Sequence, residues 1–128
     1  MAQKLKALRP SLREKKRYMV FQVISGRPVT AQEASDAIMG ACRQFLGELG
    51  MSRAGIIMLH DKWQQASQRG VMRISHKEVQ NVRTALMLVR SIGSREAVIT
   101  TKGMSGILRK AVQRFLLAPE GQPPAVPG

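Results

Sequence analysis

The chain has 128 residues and one cysteine, so it has the length of a single domain and cannot form an intrachain disulfide. Its 21 Lys and Arg residues against 8 Asp and Glu give a net charge of +13, which favours a polyanionic partner, above all nucleic acid. The sequence has no N-terminal export segment and no membrane-spanning apolar run, so we expect a cytoplasmic protein. A basic membrane-surface protein is the alternative, but one Trp and one Tyr give it few interfacial anchors.

A basic arm at the N-terminus leads into the first apolar segment. Its cations are accompanied by a single acid and no apolar stripe, so they face solvent or a polyanion. We expect contacts to a nucleic acid from Arg9, Arg13, Lys15, Lys16 and Arg17. From Tyr18 to Ile24 only Gln22 is polar, which predicts a strand covered on both faces.

The chain divides into three parts by composition. Residues 1–10 are expected to form a flexible basic arm, and residues 11–117 one folded domain. Residues 118–128 contain four prolines, and we expect this tail to be disordered.

The first helix is predicted to follow a turn at Gly26 and Pro28. Thr30 and Glu33 form a capping box at its start, and Gly50 supplies a left-handed stop after about Leu49. Apolar residues recur at intervals of three and four along the helix and predict its buried side. These residues are Ala34, Ile38, Ala41, Cys42, Phe45 and Leu49.

The second strand is predicted over Ala54–His60, and the polar segment Asp61–Arg69 connects it by a hairpin to a third strand, Gly70–Ser75. The second strand would lie at a sheet edge, where an uninterrupted apolar strand invites aggregation. We therefore predict that a second copy or another protein covers Ile56, Ile57, Met58 and Leu59. The alternative is that the third helix or the arm of the same chain covers this edge.

The last part of the chain predicts helix, strand and helix. Ser75 and Glu78 predict a second capping box and a helix to about Arg90, with Val79, Val82, Leu86 and Val89 inward. The fourth strand is predicted over Arg95–Thr101. Ser105 is expected to cap a final helix with inward residues Ile107, Leu108, Ala111, Val112, Phe115 and Leu116 and outward residues Arg109, Lys110 and Arg114.

This order of elements predicts an α/β (α+β) sandwich of the ferredoxin-like or RRM-like type. Its sheet is expected to have four antiparallel strands, with the first and third strands central. Two helices would cover one face of that sheet. The extra C-terminal helix is expected to cover the other face and to present its cations outward.

Two histidine pairs raise the possibility of metal or hydrolase chemistry. His60 precedes Asp61 and His76 is close to Glu78, but neither pair has the further ligands of a metal site. Cys42 falls on the buried side of a helix, where a thiol is inert. We therefore expect no catalytic residue, no metal site and no cofactor in this chain.

RNA-recognition sandwiches stack bases on aromatic residues of their central strands. The third strand has no aromatic residue, and Tyr18 and Phe21 fall on opposite faces of the first, so we expect contacts to phosphates instead. The glycines within Thr101–Lys110 form a strand-to-helix turn that is a candidate for such a contact, with packing and capping as the other explanation. Beyond the arm, the predicted RNA contacts are Arg73, Lys102, Arg109, Lys110 and Arg114.

Four segments resemble the archaeal ribonuclease P protein component 2 family. In chain order they are LRPSLREKKRYMVFQVIS, ACRQFLGELGMSRA, RGVMRISHKEVQNVRTALMLV and TKGMSGILRK. The resemblance spans about Leu8 to Leu116, and its most specific parts are the basic arm entering a strand and the KGMSG turn. The proline-rich tail and Trp63 match no pattern of that family.

The resemblance implies an RRM-like subunit of the ribonucleoprotein that removes the 5′ leader from precursor tRNA. In that enzyme the RNA supplies the active site and uses magnesium, and precursor tRNA would meet this chain only indirectly. The resemblance also implies pairing with the barrel-shaped ribonuclease P protein component 3, in a heterotetramer centred on a homodimer of component 2. The alternatives are a ribosomal or tRNA-binding module of the same fold and a small metal-dependent hydrolase built on the histidine pairs.

Overall fold

A computed structural model of the chain describes residues 15–119. Arg9, Arg13 and the predicted domain boundary after residue 10 lie outside the described residues, as does most of the predicted tail. The elements are β1 (Lys16–Ser25), α1 (Ala31–Ala54), β2 (Ile57–Met58), β3 (Arg69–Ser75), α2 (Val79–Met87), β4 (Ser91–Ile92), β5 (Arg95–Ser105) and α3 (Leu108–Ala111), which continues as a π-helix over Val112–Leu116.

The strands form one five-stranded sheet in the order β2-β3-β1-β5-β4, and every neighbouring pair is antiparallel. The central position of the first strand, predicted from its two-sided apolarity, is confirmed. The prediction of four strands is wrong, because Ser91–Ile92 pairs with the start of β5 as an additional edge strand. A strand of two residues is too short to leave a hydrophobic period in the sequence.

One face of the sheet packs against α1 and α2, and we call it the two-helix face. Met19, Phe21 and Val23 of β1 point to this face together with Met72 and Ile74 of β3. The helices contribute Ala34, Ile38, Cys42, Val79, Val82, Ala85 and Leu86 to the same cluster. All of these side chains are buried, so this layer is the main core of the domain.

Helix α1 begins as predicted but ends later. The Thr30 hydroxyl accepts a hydrogen bond from the Glu33 amide at 3.1 Å, and the Glu33 carboxylate accepts one from the Thr30 amide at 2.9 Å. The predicted stop at Gly50 is wrong, since the left-handed C-cap is Gly55, with φ of 54°. At Gly47 the backbone leaves the helical region, with φ of 74° and ψ of 178°.

The break at Gly47 changes which residues of α1 are inward. The predicted stripe holds for its first part, where Ala34, Ile38 and Cys42 are buried. Phe45 and Leu49 are instead 44% and 65% exposed. The interruption at Gly47 explains the exposure of Leu49, which follows the break, but not that of Phe45, which precedes it.

The second predicted capping box is wrong. Ser75 pairs with Lys16 as the last residue of β3 and is buried, so its hydroxyl does not cap a helix. The Glu78 carboxylate accepts a hydrogen bond from the Asn81 side chain at 3.1 Å instead. A 3-10 turn over His76–Glu78 leads into α2, which ends at Met87 and not at Arg90.

Strand β2 is much shorter than the predicted Ala54–His60. Only Ile57 and Met58 pair with β3, because Ala54 is the last residue of α1 and the residue after it is its cap. Ile56 and Met58 pack against the core of the two-helix face, whereas Leu59 packs on the opposite face. The apolar residues of this segment thus pack into two separate cores, and they do not form a long strand.

Trp63, which matched no pattern, packs inside the connection between β2 and β3. Its ring lies 6.2 Å from that of Phe21, centroid to centroid, and its indole N–H donates to the Gln65 side chain at 2.7 Å. A Cβ atom on Gly70 would be 2.7 Å from the Phe21 ring and 2.9 Å from the Trp63 ring. Trp63 therefore closes one end of the main core.

The other face of the sheet, which we call the one-helix face, packs against α3. Val20 and Val71 contact Ala111, Phe115 and Leu116, so the predicted cover by the last helix is confirmed, but Ile107, predicted to face inward, is 49% exposed. Strand β5 extends to Ser105, beyond the predicted Thr101. The Ser105 hydroxyl accepts a hydrogen bond from the Ile107 amide at 3.1 Å, but the helix itself begins one residue later.

Candidate nucleic-acid interface

Helix α3 presents cations on the side that faces away from the sheet. Arg109, Lys110 and Arg114 are exposed, while Ala111 and Phe115 between them are buried. Residues 97–119 contain four cations and no acid. Among residues 15–119, none of the three exposed cations has an ion-pair partner. Their charge is therefore available to an external polyanion.

The end of the basic arm lies beside the turn that precedes α3. A Cβ atom on Gly106 would be 3.3 Å from a terminal nitrogen of Arg17, and that guanidinium donates to the Lys16 carbonyl at 3.1 Å. The Lys15 carbonyl accepts a hydrogen bond from the His76 amide at 2.9 Å. The structure thus joins the two most distinctive sequence motifs, the arm and the KGMSG turn, at one end of the sheet.

Lys16 lies at the C-terminal end of α1. Its ammonium nitrogen is 3.7 Å from the position that a Cβ atom on Gly55 would take. A cation at a helix C-terminus is stabilised by the helix dipole. Lys16 therefore has a structural role besides any contact with RNA.

Lys102 occupies a bulge in β5. Val20 pairs with Gly103 and Phe21 with Thr101, so Lys102 is the extra residue between them. A bulge changes the direction in which a side chain points from the strand. The half-buried Lys102 is placed in this way next to the turn that leads into α3.

Arg73 lies on the one-helix face, in a row with Tyr18 on β1 and Ile57 on β2. Its Nε atom is buried and has no hydrogen-bond partner among residues 15–119. A buried donor without an acceptor is uncommon and calls for an explanation, such as an unseen ligand. Of the eight predicted RNA contacts within residues 15–119, Arg73 is the one whose surroundings leave a buried donor unsatisfied.

Arg69 was not predicted to have any role, yet it holds α3 in place. The residue is 1% exposed, and its guanidinium donates to the carbonyls of Phe115 at 2.8 Å and Ala118 at 2.9 Å. These carbonyls lie where the helix ends and lack partners within it. The only signal in the sequence is that Arg69 shares a strand face with the buried Val71.

Gly103 allows α3 to approach the sheet. A Cβ atom at this position would overlap the Phe115 ring, so any side chain here would force the ring to move. The first glycine of the KGMSG turn is therefore explained by packing. Its role is to let the cationic helix lie directly on β5.

Eight of the ten predicted RNA contacts lie within the described residues, in the half of the sheet where β1 begins and on α3. We call this set the basic surface. It consists of Lys15, Lys16, Arg17, Arg73, Lys102, Arg109, Lys110 and Arg114. Phe21 is buried on the opposite face and Tyr18 packs within the α3 cluster, so the described part of the chain offers no aromatic platform for bases here.

The two histidine pairs are far apart. Leu59 donates to the Val71 carbonyl, so His60 lies beside the start of β3, whereas His76 follows its end. Six residues of strand separate them by roughly 20 Å, at ~3.3 Å per residue. Among residues 15–119, no three His, Cys, Asp or Glu side chains are grouped as a metal site requires.

Cys42 is fully buried in the main core. Burial raises the pKa of its thiol to about 11, because the charged thiolate would lose its hydration there. A thiol with this pKa is a poor nucleophile at neutral pH. The structure therefore gives Cys42 the role of a core side chain.

The predicted partner interface is reduced in the structure to one exposed residue. Ile57 is 43% exposed at the edge of the sheet, while Ile56, Met58 and Leu59 pack against the cores of their own domain. Contact with another chain at this edge stays a prediction for Ile57. No helix within the described part of the chain is long and apolar enough to cross a membrane.

The family model described as the Rpp14/Pop5 family matches residues 17–116. The chain is 36% identical over 116 residues to ribonuclease P protein component 2 of Pyrococcus furiosus, covering 91% of this chain and 95% of that protein. It is 38% identical to the protein of the same name from Thermococcus gammatolerans, with the same coverage.

The likeness extends beyond these two organisms. Ribonuclease P protein component 2 of Methanosarcina mazei is 30% identical over 112 residues, covering 88% of this chain and 93% of that protein. A chain in the cryo-EM structure of yeast ribonuclease MRP superimposes with a TM-score of 0.58 at 14% identity, covering 76% of this chain and 78% of that one. At that identity the superposition shows a shared fold.

Proposed function

The chain belongs to the Rpp14/Pop5 family as a ribonuclease P protein subunit, and we propose that its basic surface holds the RNA of that ribonucleoprotein. The observation that carries the proposal is the set of exposed α3 cations without acidic partners among the described residues. Lys and Arg bind RNA mainly by neutralising phosphates and releasing counterions. Gly103 and Arg69 hold α3 against the sheet, so the cations on this helix have fixed positions.

In this proposal the protein supports a reaction that the RNA performs. The enzyme removes the 5′ leader from precursor tRNA, and the RNA component supplies the active site and uses magnesium. This chain contributes no catalytic residue, metal or cofactor, and it lowers the repulsion between RNA segments that must lie close together. The purified chain with magnesium is therefore expected to leave precursor tRNA intact.

The proposal includes the partners and the setting. We expect the chain to pair with ribonuclease P protein component 3 and with a second copy of itself in a heterotetramer, and to work in the cytoplasm. The exposed edge at Ile57 is the surface that we assign to one of these contacts. We also take the sheet to be a ferredoxin-like, RRM-like sheet that β4 extends at one edge.

Matched double substitutions test the basic surface. Arg109→Gln/Arg114→Gln removes two exposed cations from α3, and Arg43→Gln/Arg83→Gln removes two exposed cations from α1 and α2. The probe is the ribonuclease P RNA of the organism that encodes the chain. The α3 variant should lower the slope of log affinity against log salt by roughly 1.4 to 1.8, at ~0.7 to 0.9 per phosphate contact.

The control variant should bind that RNA as the unmodified chain does, since its arginines lie on the helices of the opposite face. Equal losses in the two variants would mean that the net charge alone sets the affinity, with no defined surface. Purification of the chain from its own cells adds a second readout. Recovery of ribosomal RNA in place of ribonuclease P RNA would favour the ribosomal or tRNA-binding alternative.

A further inference from the structure

An open groove lies at the end of the sheet opposite the basic surface, where β1 ends and β5 begins. Its volume is about 830 Å³. Its floor is the cross-strand pair Ile24 and Val98, which are 51% and 49% exposed on the one-helix face. Arg27, Arg90 and Arg95 also line the groove. The proposed function described above uses none of these residues.

Two of the three arginines in the groove have no partner among residues 15–119. Arg27 and Arg90 are exposed, and their side chains make no hydrogen bond or ion pair with residues 15–119. Arg95 is held in place by the Glu33 carboxylate at 3.5 Å and the Pro28 carbonyl at 3.4 Å. Glu96 is the one acidic side chain among the lining residues. Because the two arginines without partners outnumber Glu96, the net charge that the groove offers to a ligand is positive.

The groove is separate from the basic surface. Strand β1 has 10 residues, with the basic surface at its start and the groove at its end. At ~3.3 Å per residue the start of β1, where Lys16 and Arg17 lie, is about 30 Å from the groove. Helix α3 covers Val20 and Val71 in between, so one extended strand of RNA cannot follow the sheet surface from one site to the other.

We propose that this groove is a second RNA contact, which takes a single-stranded segment with its phosphates on Arg27 and Arg90 and a base against Ile24 and Val98. The inference rests on the proposed function, since it assumes an RNA partner. A duplex offers mainly phosphates, whereas unpaired bases can lie against apolar side chains and guanidinium planes. An exposed apolar floor between unpaired arginines fits the second kind of ligand. Two contacts on one sheet would hold two RNA segments at a fixed separation.

The variant Arg27→Gln/Arg90→Gln tests the phosphate contacts in the full-length chain. It matches the α3 and control variants in charge, residue type and exposure. Binding to the ribonuclease P RNA and to a short oligouridylate should lose roughly 1.4 to 1.8 units of salt slope, at ~0.7 to 0.9 per contact. The loss should add to that of the α3 variant, since distant sites act independently. Thermal unfolding and circular dichroism should stay unchanged, because neither arginine has a partner within the described part of the chain.

The variant Val98→Ser tests the base contact. It removes apolar surface from the floor of the groove without changing charge. Affinity for the oligouridylate should fall several-fold while the salt slope stays the same, because no phosphate contact is lost. Photocrosslinking with 4-thiouridine in the oligouridylate should label peptides that contain Ile24 or Val98. Unchanged affinity together with labelling elsewhere would overturn the base contact.

The outcomes separate the groove from the proposed function. If the groove variant binds RNA normally while the α3 variant loses affinity, the groove proposal fails and the basic surface stands. If neither variant changes RNA binding, the proposed function fails as well. If the groove variant keeps its RNA affinity but no longer pulls down purified ribonuclease P protein component 3, the groove is a protein-docking surface and our proposal is wrong.

Discussion

The two faces of the sheet are covered in different ways. On the two-helix face, β1, β3 and β5 contribute apolar side chains to a closed core under α1 and α2. On the one-helix face, a single short helix covers only the middle of the sheet. The residues around that middle include buried Gln22, Arg69 and Ser75 and exposed Ile24 and Val98. An apolar layer and a mixed layer thus share the same strands.

The difference assigns stability and binding to opposite faces. Apolar burial is the main favourable term in folding, so the two-helix face carries most of the stability. On the one-helix face, several residues position cations. Arg69 and Gly103 hold α3 against the sheet, and the bulge at Lys102 changes the direction of its side chain. Substitutions on the two faces are therefore expected to change the free energy of unfolding by different amounts.

The largest effect is expected from Phe21→Ala on the two-helix face. Phe21 is 1% exposed and packs against Trp63, so its truncation should lower the free energy of unfolding by about 3–5 kcal/mol. Chemical denaturation of both proteins measures the change. Phe45→Ala is the control, because Phe45 is 44% exposed, and it should cost less than about 1 kcal/mol. A similar loss in both variants would contradict the assignment of stability to this face.

A smaller and local effect is expected from Gly103→Ala on the one-helix face. The added Cβ would overlap the Phe115 ring, and such overpacking costs about 1–3 kcal/mol. Amide hydrogen exchange should accelerate in α3 while α1 and α2 keep their protection, and RNA affinity should fall. Gly40→Ala is the control, since Gly40 lies on α1 and a Cβ there meets nothing within 4 Å. Uniform acceleration across the domain would show that α3 belongs to the main cooperative unit.

The sequence predicted the elements whose signals are local and strong. The apolar run of β1 and the capping box of Thr30 and Glu33 depend on neighbouring residues alone, and both are present. The same box pattern failed at Ser75, because pairing with Lys16 places that serine inside the sheet. The spacing of Ser75 and Glu78 alone cannot show that Ser75 still belongs to the preceding strand.

The sequence also located the cations of the candidate site but not what positions them. Arg109, Lys110 and Arg114 follow from the helical period of α3, which alternates them with buried residues. Arg69 looked like the end of a polar loop, since nothing near it in the chain shows that the carbonyls of residues 115 and 118 lie above it. Contacts between residues this far apart in the chain arise only when the helix docks.

An effect that depends on pH is expected on the two-helix face. Burial raises the pKa of the Cys42 thiol from its ordinary value of 9.0 to about 11 in the fold. Between these two pKa values the thiol is ionised in the unfolded chain but still protonated in the folded chain. The contribution of Cys42 to the free energy of unfolding is therefore fully present below pH 9 and falls as pH rises toward 11. The slope should be roughly 1 kcal/mol per pH unit in that window.

The variant Cys42→Ala isolates this effect from the titration of the lysines. Denaturation of both proteins at pH 8 and at pH 10.5 gives the difference between their free energies of unfolding. That difference should shrink at the higher pH, because only the unmodified chain carries the thiol. A difference that is constant with pH would mean that Cys42 ionises in the fold as readily as in the unfolded chain.

The smallest effect on folding, and a large one on assembly, is expected from Ile57→Lys at the sheet edge. Ile57 is 43% exposed and pairs with Arg73, so a lysine there adds charge beside an arginine without opening the core. The free energy of unfolding should change by no more than about 0.5 kcal/mol. If another chain covers this edge, burying the new ammonium at the contact is costly, and the assembled mass in light scattering should fall toward that of one chain.

Met87→Lys is the matched control, since Met87 is 77% exposed at the end of α2, and it should keep the assembled mass. Full assembly of the Ile57 variant, or its unfolding, would show that Ile57 serves only its own domain.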